Sequence, residues 1–269
     1  MNITEFTINS RGEEVTCWLV SPDPSKTKEN SSLLLNISAT RHFAIHDPGQ
    51  NHPTRPFIDA GHHVLTFDLP HHGDRIAKDS IEATPPGAAN GNIRAMSKAF
   101  TAGNDPFKQF VSDGMAAIDA CLERGVPENG KIVGYGVSRA AYCLLRLAAE
   151  DPRVNAVAGP SPVTDWAVIE EFADHADPAQ TAALQIENWV DQLINKAVYL
   201  CIGSQDDVVS TKSCVQFAMK LFDKQQSVLP EGTLLNRLHV VDTPSHSPGQ
   251  YWRLDATRFL LDVCHSGNS

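Results

Sequence analysis

Between residues 33 and 241 the chain repeats one pattern, a short apolar run followed by an amphipathic stretch long enough for a helix. The runs are Leu33–Ile37, Val64–Phe67, Ile132–Tyr135, Val154–Ala158, Val198–Ile202 and Leu238–Val241. Most are apolar at consecutive rather than alternate positions, which predicts strands buried on both faces. The stretches around 53–60, 106–124, 139–150, 210–223 and 248–264 predict helices, and Val111, Met115, Ile118 and Leu122 have helical spacing. This alternation predicts a three-layer α/β domain: a mostly parallel sheet of about eight strands, covered by helices through right-handed crossovers.

The remaining segments modify that plan. The first twenty residues alternate around the turn Asn9-Ser10-Arg11-Gly12 and predict a β-hairpin, and residues 21–31 read as a solvated loop. Residues 76–105, rich in Gly, Pro, Ala and Asn, read as a long loop. Residues 163–196 hold short amphipathic helices, around Trp166–Ala173 and Ala179–Leu193. Such an insertion would lie above the C-terminal edge of the sheet, where α/β sites form, and so reads as a small cap over a pocket. Short helices of this kind are also what an ordinary crossover contains. No repeat divides the 269 residues, and one α/β domain spanning 1–269 is large enough to bury a full core.

Charge and composition remove several function classes. The net charge of −10 opposes a nucleic-acid partner, since phosphate binding needs a basic patch. No apolar run is long enough to span a membrane, and the N-terminus lacks the basic and apolar regions of a secretory signal. The six cysteines are scattered without a Cys-x-x-Cys pair, which suits free thiols in a reducing, cytoplasmic setting. The expected partner is a small molecule, and the sequence sets no oligomeric state.

One motif carries chemistry. Gly136-Val137-Ser138-Arg139-Ala140 follows the run Lys131–Tyr135 and opens the stretch Ala140–Glu150. A strand that turns sharply into a helix holds its central serine in a strained conformation with the hydroxyl exposed, and only small flanking residues fit. The helix start directs free amides and a positive dipole end at the same place, so the Arg139 amide is a natural oxyanion donor. Serine is also a favoured helix N-cap, so this position alone leaves a capping role open. Downstream, Asp206 follows the run ending at Ile202, and His246 follows the run ending at Val241. Serine, acid and histidine in that chain order, each past the end of a strand, form a candidate nucleophile–base–acid set. Asp207 and Asp242 compete for the acid position, and His239 and His265 for the base.

These residues carry a resemblance. Gly136-Val137-Ser138-Arg139-Ala140, Gly203-Ser204-Gln205-Asp206-Asp207-Val208-Val209 and Ser245-His246-Ser247 together resemble the α/β-hydrolase superfamily, nearest to dienelactone-hydrolase-like and prolyl-oligopeptidase-like esterases. The likeness runs from about residue 30 to 264, and Asp68-Leu69-Pro70-His71-His72-Gly73 resembles a turn of that family. It implies a serine hydrolase with Ser138 as nucleophile, His246 as base and Asp206 as acid. Such an enzyme would cleave a small carboxylic ester, lactone or acylated metabolite through an acyl-enzyme, without a cofactor. A peptidase, a thioesterase or a non-catalytic binding protein on the same fold are the alternatives. The resemblance aligns Ser38, followed by Ala39, with the second oxyanion amide. Asn36-Ile37-Ser38 departs there from the family's usual His-Gly, and Ala140 stands in place of a glycine.

Seven of the eleven histidines fall between 42 and 72. His42-x-x-x-His46 has the spacing of a helical metal pair but lacks the glutamate of a zinc-protease helix, so no metal is expected. Ala39, His72 and Trp166 are the candidate substrate-pocket residues.

Overall fold

The computed structural model describes residues 2–76, 91–230, 236–247 and 249–266. In chain order they form β1 (Asn2–Ser10), β2 (Glu13–Ser21), β3 (Leu33–Ile37), α1 (Arg41–His46), α2 (Thr54–Asp59), β4 (His63–Phe67), α3 (Gly91–Thr101), α4 (Pro106–Leu122) and β5 (Ile132–Gly136). Then follow α5 (Arg139–Glu150), β6 (Val154–Pro160), α6 (Glu170–Ala173), α7 (Pro178–Ala183), β7 (Ala197–Gly203), α8 (Thr211–Val228), β8 (Asn236–Val241) and α9 (Gln250–His265).

One eight-stranded sheet has the order β1-β2-β4-β3-β5-β6-β7-β8. β1 and β2 form the expected antiparallel hairpin, and β2 joins β4 antiparallel. From β4 to β8 every pairing is parallel. The consecutive apolar residues of the strands now have a cause. Leu33 and Leu35 of β3 enter a core shared with α3, α4, α5 and α8, while Leu34 enters a second core with α1, α2 and α9. Each fully buried leucine contributes about 1.5–3 kcal/mol relative to exposure, so neither face tolerates polar alternation.

Three expectations change. Residues 91–101, inside the stretch read as a loop, form α3; Ile93, Met96 and Phe100 on it pack against the core. The rest of that stretch from 77 to 90 lies outside the described residues. The Gly91-Asn92 start and the Pro/Gly-rich residues before it hide the helical spacing. Second, α1 is a helix the apolar pattern does not reveal, opened by Thr40, whose hydroxyl accepts the Phe43 amide at 3.2 Å. Third, the 163–196 segment divides by what it packs against. Its 186–193 turn packs on α5 and α8 as a crossover does, and only the part around 163–171 reaches the site described next.

Candidate active site

Ser138 sits between β5 and α5 with φ 59° and ψ −121°. A left-handed φ at a residue with a Cβ costs about 1–3 kcal/mol and persists only where the surroundings enforce it. Three backbone hydrogen bonds enforce it here. The Ser138 amide donates to the Pro160 carbonyl at 3.0 Å, the Ala140 amide to Val137 at 3.1 Å, and the Val163 amide to Ser138 at 3.3 Å. A Cβ on Gly136 would lie 2.9 Å from both the carbonyl carbon and the Cβ of Ala140. The turn therefore closes only with glycine at 136, and a methyl at 140 already fills the remaining space. Ser138 holds the N-cap position of α5, yet its hydroxyl makes no capping hydrogen bond. It faces two adjoining pockets of about 230 and 370 Å³ instead.

Asp206 follows β7 and is completely buried at its side chain, whereas His246 is 27 % exposed. His246 Nδ1 lies 3.0 Å from Asp206 Oδ2 and 3.1 Å from Oδ1. The amides of Val208 and Val209 donate to Asp206 Oδ1 at 2.9 and 3.0 Å. Burial alone would raise the Asp206 pKa, but the hydrogen bonds from His246, Val209 and Val208 outweigh it and hold the carboxyl below its ordinary value. An ionised carboxylate only accepts, so Nδ1 of His246 must carry the proton, leaving Nε2 as the free nitrogen of the neutral ring. Asp206 and not Asp207 meets the histidine; Asp207 lines the smaller pocket. Asp242 instead accepts from the Ser204 hydroxyl at 3.4 Å.

His246 shares the larger pocket with Ser138, Ser38, Ala39 and Arg139. Among the described residues no hydrogen bond joins Ser138 Oγ to His246, so the contact of about 2.6–3.2 Å expected of such a pair is not made. Contacts of this type are commonly long until substrate binds. The Arg139 amide, first in its helix, has no intrahelical partner to take it.

Asn36 explains the departure beside Ser38. Its buried side chain donates to the Ala44 carbonyl at 2.8 Å and to the Thr54 hydroxyl at 3.0 Å, bolting α1 and α2 to β3. Ala39 is held from the other side, where its carbonyl accepts the Leu69 amide at 3.3 Å. The 68–75 turn is latched in turn to α1. Asp68 accepts the Arg41 amide at 2.7 Å and pairs with the Arg41 guanidinium at 2.7 Å.

Of the expected pocket residues, Ala39 lines the larger pocket and Trp166 the smaller. Trp166 is also fully buried, packed on Phe107, Tyr142 and Phe172 with ring centroids 4.5–5.2 Å apart. His72 is a correction. It is completely buried and lines neither pocket; its Nδ1 lies 2.8 Å from the Pro70 carbonyl, and its Nε2 accepts from Arg139 Nε at 3.2 Å. The turn that places it contains His71 at φ 64°, a fold feature no residue pattern announces. His239 packs between Tyr199 and Trp252, and His265 lies 3.1 Å from the Lys28 ammonium, both away from Ser138. His42 and His46 stack beside Trp18 on α1, and among the described residues no three metal-ligating side chains cluster.

No protein-family model matches the sequence, and no curated protein matches it. Solved structures do. A cold-adapted esterase from an Arctic intertidal metagenomic library aligns over 97 % of this chain and 93 % of its own, at 17 % identity and a TM-score of 0.65. An esterase from Pyrococcus furiosus aligns over 98 % and 91 %, at 15 % identity and a TM-score of 0.65. A puromycin-hydrolyzing peptidase from Mycobacterium tuberculosis aligns over 98 % of this chain but 39 % of its own, at 13 % identity and a TM-score of 0.69. With the strand order above, these matches give the architecture its name: the α/β-hydrolase fold.

Proposed function

We propose that this chain is a serine hydrolase that cleaves a small carboxylic ester, lactone or acylated metabolite through an acyl-enzyme. The observation that carries the reading is the buried Asp206 bound to His246 across one pocket from a left-handed Ser138 with an uncommitted hydroxyl. A serine hydroxyl is a weak nucleophile until a base takes its proton. His246 Nε2 is that base, and Asp206 keeps the proton on Nδ1 and stabilises the imidazolium that forms.

Attack by Ser138 Oγ on the carbonyl carbon turns its oxygen into an oxyanion. The amides of Arg139 and Ser38 receive that charge, each contributing about 2.7–4 kcal/mol to the transition state. The imidazolium then protonates the leaving alcohol oxygen as the ester bond breaks. Water, deprotonated by His246, releases the acid and restores Ser138. Ala39 and Trp166 form walls on either side of the reacting group. The partner is a small molecule. The six free cysteines suit a reducing compartment such as the cytoplasm, and no described helix is long and apolar enough to cross a membrane.

A fluorophosphonate probe tests the reading. Labelling at Ser138, abolished by Ser138→Ala along with nitrophenyl-ester hydrolysis, supports it. Labelling elsewhere, or hydrolysis that survives the substitution, refutes it.

A further inference from the structure

The side chain of Arg139 has a separate story from its amide. It lines both pockets beside Ser138. Its Nε donates to His72 Nε2 at 3.2 Å, and among the described residues no hydrogen bond or ion pair reaches Nη1 or Nη2. Most other buried or half-buried arginines behave differently: Arg41, Arg75, Arg146 and Arg153 each pair with a carboxylate. Burial holds the Arg139 pKa below the ordinary arginine value despite the opposing influence of Cys143 and Glu171. Neither Nη group is sealed away from solvent, so the pair can meet an anion that enters the pocket.

The histidine beneath it is built for this arrangement. His72 Nδ1 donates to the Pro70 carbonyl, so Nε2 is the bare nitrogen that accepts from Arg139. Burial, with the Arg139 charge next, drives the His72 pKa down to about 3, so the ring stays neutral and does not repel the arginine. With Nε occupied, the two Nη groups remain as an end-on fork, the geometry that meets both oxygens of a carboxylate.

The charges around the two pockets set the direction. Glu170, Glu171 and Asp207 line the smaller pocket. The larger pocket has Asp47 as its acid and Arg253 as a second cation; among the described residues no ion pair joins them, and the Nη groups of Arg253 donate to the Gly49 carbonyl and the Ser247 hydroxyl. Arg139 is therefore the cation of the larger pocket whose Nη groups have no partner among the described residues, next to Ser138 and His246. An anion is favoured there and disfavoured on the other side.

We propose that Arg139 is a specificity-determining residue that binds a substrate carboxylate in the larger pocket, so the preferred ester is the half-ester of a dicarboxylic acid. His72 is its positioning residue. This rests on the hydrolase reading, and the test separates the two.

The first arm compares hydrolysis of mono(4-nitrophenyl) glutarate with its neutral methyl ester. The expected kcat/KM ratio favours the monoanion roughly ten- to hundredfold, the range of a charge-assisted hydrogen-bonded pair. Arg139→Gln should bring it near unity, Arg139→Lys should restore it in part, and His72→Gln should lower it through KM. A wild-type ratio near unity, or one unchanged in Arg139→Gln, overturns the inference while leaving the hydrolase reading intact. The second arm measures binding of monomethyl glutarate and dimethyl glutarate to Ser138→Ala by calorimetry. Tighter binding of the monoanion, lost in Ser138→Ala/Arg139→Gln, supports the carboxylate site even if no ester is cleaved. Equal affinities overturn it.

Discussion

Gly203 at the end of β7 lies so close to the loop carrying His246 that a Cβ on it would sit 2.7 Å from the Ser245 carbonyl oxygen and 2.8 Å from that of Thr243. This close approach puts the β8 loop on top of β7, so that His246 meets Asp206 only three residues past Gly203. Gly203→Ala must push that loop away. We expect a loss of at least tenfold in kcat with a stability cost of about 1–3 kcal/mol, as for other overpacked sites. Ester hydrolysis and urea unfolding of the variant measure both, and unchanged kcat would show that the loop position is not set here.

Ser138→Gly should abolish turnover and stabilise the fold. Removing the Cβ relieves a residue held at φ 59°, whereas glycine adopts this conformation freely. A gain of about 1 kcal/mol corresponds to a rise in Tm of about 2–4 °C for a chain of this size. Scanning calorimetry decides; a fall in Tm would mean that the hydroxyl, not the backbone, dominates the energetics of the elbow.

Asp206→Asn should cut kcat by about 10⁴ while the fold persists. The amide presents a donor as well as an acceptor to Nδ1 and removes the charge that stabilises the imidazolium. Hydrolysis rates at pH 7, together with an intact circular dichroism spectrum, give the measurement. A loss below tenfold would remove Asp206 from the reaction.

His72 predicts a pH dependence of stability. Its pKa is lowered from 6.5 to about 3 in the folded chain. The unfolded chain therefore binds the extra proton first as pH falls, and the folded state loses stability progressively from about pH 6.5 down to about 3, below which this contribution levels off. His72→Gln has no such group and should show a flatter stability profile over that window. Urea midpoints of both proteins at pH 7, 5.5 and 4.5 test it; parallel profiles would mean that His72 is not buried as a neutral ring.

The parts that were legible in the sequence share a cause. β3 to β7 are buried on both faces, so their residues had to be apolar at successive positions, and that pattern survives in one dimension. Asp206 was legible because it follows such a run, and His246 because it follows Leu238–Val241, which is apolar at three of four positions although no residue of β8 is fully buried. The helix α3 was not, because Gly91, Asn92 and the residues before them have loop composition, while Ile93, Met96 and Phe100 gain meaning only against the core they meet. The neighbours of His72 suggest a turn at the site, and so a place in the pocket wall. The burial of His72 follows from the backbone path of that turn and from a hydrogen bond to a residue 67 positions away. For the same reason the Arg139 amide could be assigned from its place at a helix start, but the direction of its side chain could not. Asn36 looked like a defect in an oxyanion loop, and its real use is visible only once α1 and α2 are packed beside it.

Strand order divides the proposed reacting groups between regions of unequal persistence. Ser138 rises from β5, with paired strands on both sides, and is tied to β6 as well. His246 follows β8, an edge strand, whose neighbour in the sheet among the described residues is β7 alone. Edge structure opens at lower free energy than the centre of a sheet. Warming or mild denaturant should therefore detach the base while the nucleophile keeps its shape, producing a folded but idle protein that recovers on cooling. Shelf life and working temperature would then be governed by the last strand and its loop. Reinforcing the β7–β8 border would keep the proposed base in place to higher temperature than added packing around β5 would.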